Sequence, residues 1–247
     1  MRRWLGLRRA ASGPAARRHA TGPARATVRD ELTLGSKSYV AVHKPYGVLS
    51  AFTTRVAGQR TLGDLSLELP TDVYAVGRLD ADSEGLLLLS NDGAFIDAVL
   101  TRQTRKAYLV QVDGVLGPGA VATLTQAGVA PFRPALAVEA LEAPIFDNFE
   151  ASDEPPSAVG EKLPPCSHIR RRRRLPTQWL RVEIDEGQNR QVRRMLAAVG
   201  LPVLRLFRER IGDLSIFDLR LASGEASHLT GPERVLGAAQ GHRRRGR

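Results

Sequence analysis

Residues 77–85 place charged and hydroxyl side chains between two apolar runs, in the order Gly-Arg-Leu-Asp-Ala-Asp-Ser-Glu-Gly. Asp80 follows Arg78 by two positions, so both side chains lie on the same side of an extended chain. An aspartate on a loop that leaves a strand can project into a cleft and act there as a nucleophile or a base. Aspartate and serine are also frequent in turns, because their side chains hydrogen-bond to nearby backbone. The residues alone leave a catalytic loop and an ordinary turn both open.

Arginine side chains cluster in residues 185–195. A helix over 189–199 is predicted there, with Asn189 as its N-cap and with a buried stripe made by Val192, Met195, Leu196 and Val199. The first turns of this helix also carry Arg190, Gln191, Arg193 and Arg194. Cations at a helix N-terminus oppose the helix dipole, so a carboxylate or a phosphate is expected close by. A solvated basic face is the alternative explanation.

The segment 106–112 alternates in polarity and predicts a strand. Lys106 and Tyr108 lie on one face of that strand, because side chains two positions apart point the same way. Tyr108 can offer an aromatic ring for stacking and a hydroxyl group for hydrogen bonding. An ordinary half-buried tyrosine is an equally good explanation of this position.

The elements around these residues predict an α+β fold. Strands are expected over 39–43, 73–76, 85–90, 106–112, 135–141, 179–184 and 203–207. Helical turns are expected over 61–69, 94–100 and 118–126, with Asp92 as the cap of the second. Strands and helices alternate irregularly and several strands follow each other as hairpins. This order favours a mostly antiparallel mixed sheet with flanking helices over a doubly wound parallel sheet.

Charge is distributed unevenly along the 247 residues, which allow one large domain or two small ones. The net charge is +10, but residues 1–29 contribute +8 and residues 231–247 contribute +4. Residues 139–161 hold seven acids and no lysine or arginine, whereas residues 168–210 have a net charge of +8. A binding site for a polyanion is therefore expected in the second of these two segments.

Composition excludes several classes of protein. The hydrophobic content of 43% supports a folded core, and the single cysteine, Cys166, excludes an internal disulfide framework. Five scattered histidines without a ligand spacing make a zinc site unexpected. No apolar run approaches the length that a membrane span needs, so no association with a membrane is expected.

A folded domain is predicted over residues 38–230, with one insertion inside it and one further segment at each end. Residues 1–37 are predicted to be a disordered basic arm or a transit peptide, because the first 29 are rich in Arg, Ala and Gly and lack acids. A mitochondrial or plastid location follows from the second reading, and a cytoplasmic location from the first. Residues 144–177 are predicted to form a charged loop insertion, and residues 231–247 a basic tail.

Four ordered motifs resemble those of the pseudouridine synthases, in the RsuA-like branch. They are residues 43–50 (HKPYGVLS), residues 77–93 (GRLDADSEGLLLLSNDG), the strand around residues 105–108, and residues 186–194 together with 201–212. The resemblance spans residues 39–221. The Arg run followed by residues 175–180 (LPTQWL) is similar to the RluE-type members, which act on large-subunit ribosomal RNA and have a single domain. A monomer that acts on ribosomal RNA is therefore expected, with no metal and no small-molecule cofactor.

Residue roles carried over by position follow from this resemblance. It implies that Asp80 is the catalytic aspartate, that Tyr108 packs against the flipped uracil, and that Arg193 pairs with the catalytic carboxylate. Arg78 matches an arginine that supports extrusion of the base. Other residues expected to contact RNA are Lys44, Lys106, Arg170, Arg171, Arg172, Arg181, Arg190, Gln191, Arg194, Arg205, Arg208 and Arg210.

Three alternative functions remain open at the level of sequence. A non-catalytic ribosome-assembly factor with the same fold would not need the set of Asp80, Tyr108 and Arg193. A glycoside hydrolase would need a second carboxylate at a defined distance, for which Asp82 is too near in sequence. A synthase of the same branch that modifies a different RNA would carry the same motifs.

Overall fold

The computed structural model describes residues 36–141 and 176–236. All of them belong to one unit of the chain, Gly35–Arg247. The predicted basic arm or transit peptide, residues 144–175 of the predicted insertion, and the end of the basic tail fall outside the described residues. Arg170, Arg171 and Arg172 therefore stay predictions as RNA contacts.

The described residues form short helices around a large sheet. The strands are β1 (Tyr39–Lys44), β2 (Val48–Leu49), β3 (Arg60–Thr61), β4 (Tyr74–Ala75), β5 (Glu84–Ser90), β6 (Lys106–Asp113), β7 (Ala137–Leu141), β8 (Thr177–Ile184), β9 (Val203–Ile211), β10 (Leu214–Ser215) and β11 (Ala226–His228). The helices are α1 (Gly93–Thr101), α2 (Pro118–Ala122), α3 (Gln191–Ala198), α4 (Ile216–Leu219) and α5 (Glu233–Leu236). A 3-10 turn covers Leu62–Asp64, and a π-helical turn covers Thr123–Ala127.

The main sheet has the strand order β11-β1-β5-β9-β6-β8-β7, with β4 added beside β5 and β10 beside β9. β5 and β9 pair in parallel, whereas the other neighbours in this sheet pair antiparallel. β2 and β3 form a separate, short parallel pair. The α+β class with a mostly antiparallel mixed sheet is confirmed.

Both faces of the sheet are covered by packed side chains. Leu87 and Leu89 of β5 belong to the cluster that also holds Met195 of α3, whereas Leu86 and Leu88 pack in the cluster of α1, α4 and α5. Strand β5 is therefore buried along its whole length, which explains why its sequence is a continuous apolar run rather than an alternating one.

Several element boundaries differ from the sequence predictions. The helical turns expected over 61–69 shrink to Leu62–Asp64. The Asp64 carboxylate accepts hydrogen bonds from the Thr61 backbone N–H and hydroxyl at the start of this turn, but the chain is extended again at Leu65. The helix expected over 118–126 divides into α2 and the π-helical turn. The folded region also continues past residue 230, since Val235 of α5 is buried in the core. The prediction that Asp92 caps α1 is confirmed, because its side chain accepts from two N–H groups of the first turn.

Candidate active site

The loop that carries Asp80 is fastened by the motif of residues 43–50. The hydroxyl of Ser50 donates to the Leu79 carbonyl at 2.8 Å and accepts from the Leu79 N–H at 3.0 Å. The N–H of Gly47, at a positive φ of 77°, donates to the Ala81 carbonyl at 2.7 Å. These bonds hold the backbone on both sides of Asp80, so the two motifs form one rigid unit.

Lys44 is part of this support and does not reach solvent. Its side chain is fully buried, and its ammonium group donates to the carbonyls of Pro45 at 2.9 Å and Val48 at 2.6 Å. Burial lowers the pKa of Lys44 to about 8, although the negative charge of Glu84 opposes this shift. The prediction that Lys44 contacts RNA is wrong for this structure, since its charge is used to shape the turn.

A cavity of about 360 Å³ opens beside the Asp80 loop. Its wall is built from the loop, from β6, from β9 and from the segment that leads into α3. The predicted residues that line it are Arg78, Asp80, Lys106, Tyr108, Arg190, Gln191, Arg193 and Arg208. Its size falls in the range of small-ligand sites, and the fold brings residues far apart in sequence into its wall.

A β-bulge determines which side chain faces Tyr108 across the sheet. Ala107 of β6 pairs with Arg210 of β9, but the next residue, Tyr108, pairs with Arg208, so that Glu209 is an extra residue in β9. Without the bulge Arg208 would point to the opposite face of the sheet, because side chains alternate along a strand. The bulge therefore brings Arg208 into the cavity beside Tyr108.

Gly85 ends the Asp80 loop where β5 meets β9. It pairs with Arg208, and its φ is 101°. A Cβ atom at this position would lie 2.4 Å from the Arg208 carbonyl oxygen. Gly85 is thus required because two backbones approach too closely for any other residue.

The ion pairs of the loop differ from the sequence prediction. Asp80 forms its ion pair with Arg190, at 3.5 Å between Nη1 and Oδ2, and not with Arg193. Arg190 also donates to both carboxylate oxygens of Asp82, at 3.1 and 2.8 Å. Arg193 donates to the backbone carbonyl of Asp82 at 2.6 Å, and its Nη2 lies 3.5 Å from the Asp82 carboxylate. The two arginines therefore hold the loop mainly through Asp82.

The carboxylate of Asp82 stays ionised in this network. Partial burial favours its neutral form, but the hydrogen bonds from Arg190 and the charges of Arg190 and Arg193 outweigh burial and hold its pKa below the ordinary value. The hydrogen-bonded Asp82 carboxylate in turn raises the pKa of Arg190. Arg190 lies at φ 50° directly before α3 and takes the N-cap position that the sequence assigned to Asn189. This left-handed turn aims its side chain back over the loop.

Other predicted RNA contacts have different places in the structure. Gln191 is buried, donates to Glu186 at 2.6 Å and accepts from the Gln188 N–H at 3.1 Å, so it orders the loop before α3. Arg205 is also buried, and it donates to both carboxylate oxygens of Glu84 at 2.6 and 2.8 Å. Arg205 is corrected to a structural position, whereas Gln191 also lines the cavity and its contact with RNA stays a prediction.

The remaining arginines either are exposed or form ion pairs. Arg194 is exposed, and its guanidinium lies 4.7 Å from the centre of the Phe132 ring, in a cation–π contact. Arg78 is exposed at the rim of the loop. Arg181 pairs with Glu209, and Arg210 pairs with Glu183. Contacts of these arginines with RNA stay predictions.

Sequence reasoning missed Ser50 and Gly47 as supports of the loop. Their signal was present, because both stand in the motif of residues 43–50. In residues 36–141 and 176–236, no cluster of three His, Cys, Asp or Glu side chains could hold a metal ion. No helix in the same part of the chain is long and apolar enough to cross a membrane.

The mixed sheet therefore places an aspartate loop, a tyrosine and several guanidinium groups around one cavity. The sequence model of the family RNA pseudouridylate synthase matches residues 38–198. The chain belongs to this family, and its fold is that of the pseudouridylate synthases.

Relatives narrow this assignment. A "Ribosomal large subunit pseudouridine synthase E" from Xanthomonas axonopodis pv. citri is 44% identical over 70% of this chain and 85% of its own length. The protein of the same name from Vibrio parahaemolyticus is 39% identical over 83% of this chain and 82% of its own length. A crystal structure of a pseudouridylate synthase superimposes with a TM-score of 0.55 at 25% identity, covering 79% of this chain and 71% of that chain.

Proposed function

We propose that this protein converts one uridine of large-subunit ribosomal RNA into pseudouridine, with Asp80 as the catalytic carboxylate. The observation that carries the proposal is the position of Asp80 in the wall of the cavity, in the same wall as Tyr108 and Arg208. The choice of RNA is supported by the names of the relatives from Xanthomonas and Vibrio.

The reaction requires the target uridine to leave the RNA stack and enter the cavity, since its glycosidic bond is inaccessible in a helix. The C1′–N1 bond then breaks, and its electron pair stays with uracil. Asp80 either bonds to C1′ or removes the proton at C2′, and both routes need one carboxylate at the sugar. After the ring turns, C5 bonds to C1′ as the Asp80–C1′ bond breaks or, in the second route, as the proton returns to C2′. The C5 proton is then released to a base, and N1 takes up a proton.

The other groups of the cavity position the reacting parts. Tyr108 provides an aromatic surface for the uracil ring. Arg190 holds the Asp80 loop through its bonds to Asp82, and its Nη1 atom lies 3.5 Å from Oδ2 of Asp80. Arg78 and Arg194 are exposed and offer cations to the RNA backbone.

The experiment is a map of pseudouridine in ribosomal RNA from cells with and without the gene. The deletion is complemented with the wild type, with Asp80→Asn, and with the control Asp97→Asn, which makes the same substitution at an exposed position of α1. We expect one large-subunit pseudouridine to vanish in the deletion strain. Wild type and the Asp97 variant should restore it, and the Asp80 variant should not.

Two results would contradict the proposal. An unchanged map in the deletion strain would remove ribosomal RNA as the substrate. A pseudouridine restored by Asp80→Asn would remove Asp80 as the catalytic carboxylate. The Asp80 variant is expected to fold normally, because its side chain is about one-third exposed and its one ion pair is long.

A further inference from the structure

The inner wall of the cavity carries two cations that the loop network does not use. Lys106 lies on the same face of β6 as Tyr108, and Arg208 lies opposite Tyr108 on β9. The ammonium group of Lys106 donates to the Thr104 carbonyl at 2.8 Å, and Nε of Arg208 donates to the Leu86 carbonyl at 2.7 Å. Neither forms an ion pair with a carboxylate in the described part of the chain.

Both cations keep unused hydrogen-bonding capacity. An ammonium group has three donors, of which one in Lys106 has a partner among the described residues. The Nη2 atom of Arg208 is buried and also has no partner within that part of the chain. Buried donors without partners are uncommon, and where they line a cavity they indicate a ligand with acceptor atoms.

The two cations also repel each other. Burial and the charge of Arg208 lower the pKa of Lys106 to about 8, and the carboxylate of Asp185 only partly offsets them. Like charges held close together in a partly buried wall are unfavourable in the empty site. They become favourable when a ligand brings negative charge between them.

The depth of the inner wall determines which part of the RNA can contact Lys106 and Arg208. Arg208 is 4% exposed and pairs across the sheet with Tyr108, the residue proposed to pack on the base. A phosphate of the RNA backbone belongs to the outer surface of the complex, where Arg78 and Arg194 are exposed. The group that enters deeply enough to meet Lys106 is therefore the flipped base with its carbonyl oxygens.

We propose that Lys106 and Arg208 bind the carbonyl oxygens of the flipped uracil and stabilise the negative charge that this base acquires when the C1′–N1 bond breaks. This inference rests on the proposed function. The electron pair of the broken bond spreads from N1 onto the carbonyl oxygens of the detached ring. The two cations stabilise this negative charge by electrostatic attraction and hydrogen bonding, and no proton is transferred. Neutralisation of the charge also keeps the detached base in the cavity until C5 bonds to C1′. Lys106 is then a catalytic residue and not a phosphate contact.

The test compares Lys106→Met with Lys106→Arg and with the control Lys37→Met, which removes an exposed lysine that pairs with Asp92 away from the cavity. The substrate is large-subunit ribosomal RNA purified from the deletion strain. Single-turnover rates are measured at saturating enzyme, and the dissociation constant is measured separately at several salt concentrations in the Asp80→Asn background. Thermal unfolding of each variant verifies that it folds.

We expect Lys106→Met to lower the single-turnover rate about 100-fold, the effect of losing one charged donor to a developing anion. Its dissociation constant should change less than about threefold, because one contact to the base is lost and no phosphate contact. Lys106→Arg should retain a larger part of the rate. It should also lack the decline that the wild type shows as the pH rises through the pKa of Lys106, because an arginine stays charged.

The following results would contradict the inference. If Lys106→Met weakens binding, reduces the salt dependence by about one phosphate contact and leaves the saturated rate unchanged, Lys106 binds the backbone and the inference is wrong. An unchanged rate and an unchanged affinity would also overturn it. A wild type without activity on this RNA would instead overturn the proposed function, and the inference would fall with it.

Discussion

Glu84 and Arg205 form a buried ion pair that joins the end of the Asp80 loop to β9. Their side chains are 6% and 3% exposed, and two hydrogen bonds of 2.6 and 2.8 Å connect them. Loss of one partner of such a pair costs about 3–5 kcal/mol of the free energy of unfolding, because the other charge stays buried after its ion pair is broken. For a domain of this size, about 2–4 °C of Tm correspond to each kcal/mol. Glu84→Gln should therefore lower Tm by about 6–20 °C.

A double variant and a matched control test whether the lost stability of Glu84→Gln comes from the broken ion pair. The double variant Glu84→Gln with Arg205→Met removes both charges, so its stability should return to within about 1–2 kcal/mol of the wild type. Asp218→Asn breaks an ion pair with Arg234 that is about half exposed, and it should cost less than about 1 kcal/mol. Calorimetry and urea denaturation measure the four proteins under identical conditions.

The reasoning is refuted if Glu84→Gln costs no more than Asp218→Asn. It is also refuted if the double variant is as unstable as Glu84→Gln alone, because the loss would then come from packing and not from an uncompensated charge. Activity provides a further readout. The pair holds the loop against β9, so Glu84→Gln should lower the rate of pseudouridine formation even at temperatures where the protein is fully folded.

Gly85→Ala should lower the free energy of unfolding by about 3 kcal/mol or more, and urea denaturation measures this loss. The reason is that the added Cβ atom meets the backbone of Arg208 and that alanine is strained at this positive φ. Gly93 has open space where a Cβ atom would lie, so the control Gly93→Ala should leave the stability unchanged or raise it. If the two variants lose the same stability, the close approach of backbones is not the reason for glycine at position 85. Ser50→Ala removes two hydrogen bonds to the backbone of the Asp80 loop and should lower the free energy of unfolding by about 1–2 kcal/mol. Ser50→Ala should lower kcat more than it raises KM, whereas the control Ser66→Ala, at an exposed position, should change neither. A normal kcat for Ser50→Ala would exclude a role of Ser50 in positioning the Asp80 loop.

The sequence predicted the elements well where the signal was local. The cap of α1 and the strands β5, β6 and β8 follow from capping residues and from runs of apolar or alternating residues. The start of α3 was misplaced by two residues, because the left-handed backbone at Arg190 depends on its bonds to a distant loop. A 3-10 turn replaced the helix expected near Thr61 for a similar reason, since Thr61 Oγ1 bonds to the Phe52 carbonyl as well as to Asp64.

Residue type alone could not distinguish exposed cations, which are the proposed RNA contacts, from buried cations that support the fold. Lys44 and Arg205 look in sequence like Arg78 and Arg194, yet the first two are buried and the last two are exposed. The difference depends on which strand neighbours another, and β5 and β9 are more than a hundred residues apart in the chain. Burial of a charge is a property of the assembled sheet, and no local pattern encodes it.

The sequence by itself determined the family, the α+β class and the aspartate loop, because each depends on residue types at short spacing. Only the tertiary structure decided that Arg190 is the partner of Asp80, and that a bulge in β9 turns Arg208 toward Tyr108. Both facts arise from contacts between segments distant in sequence. The physical reason is that a one-residue shift in strand register moves a side chain from one face of a sheet to the other, and register is fixed only when the strands pack together.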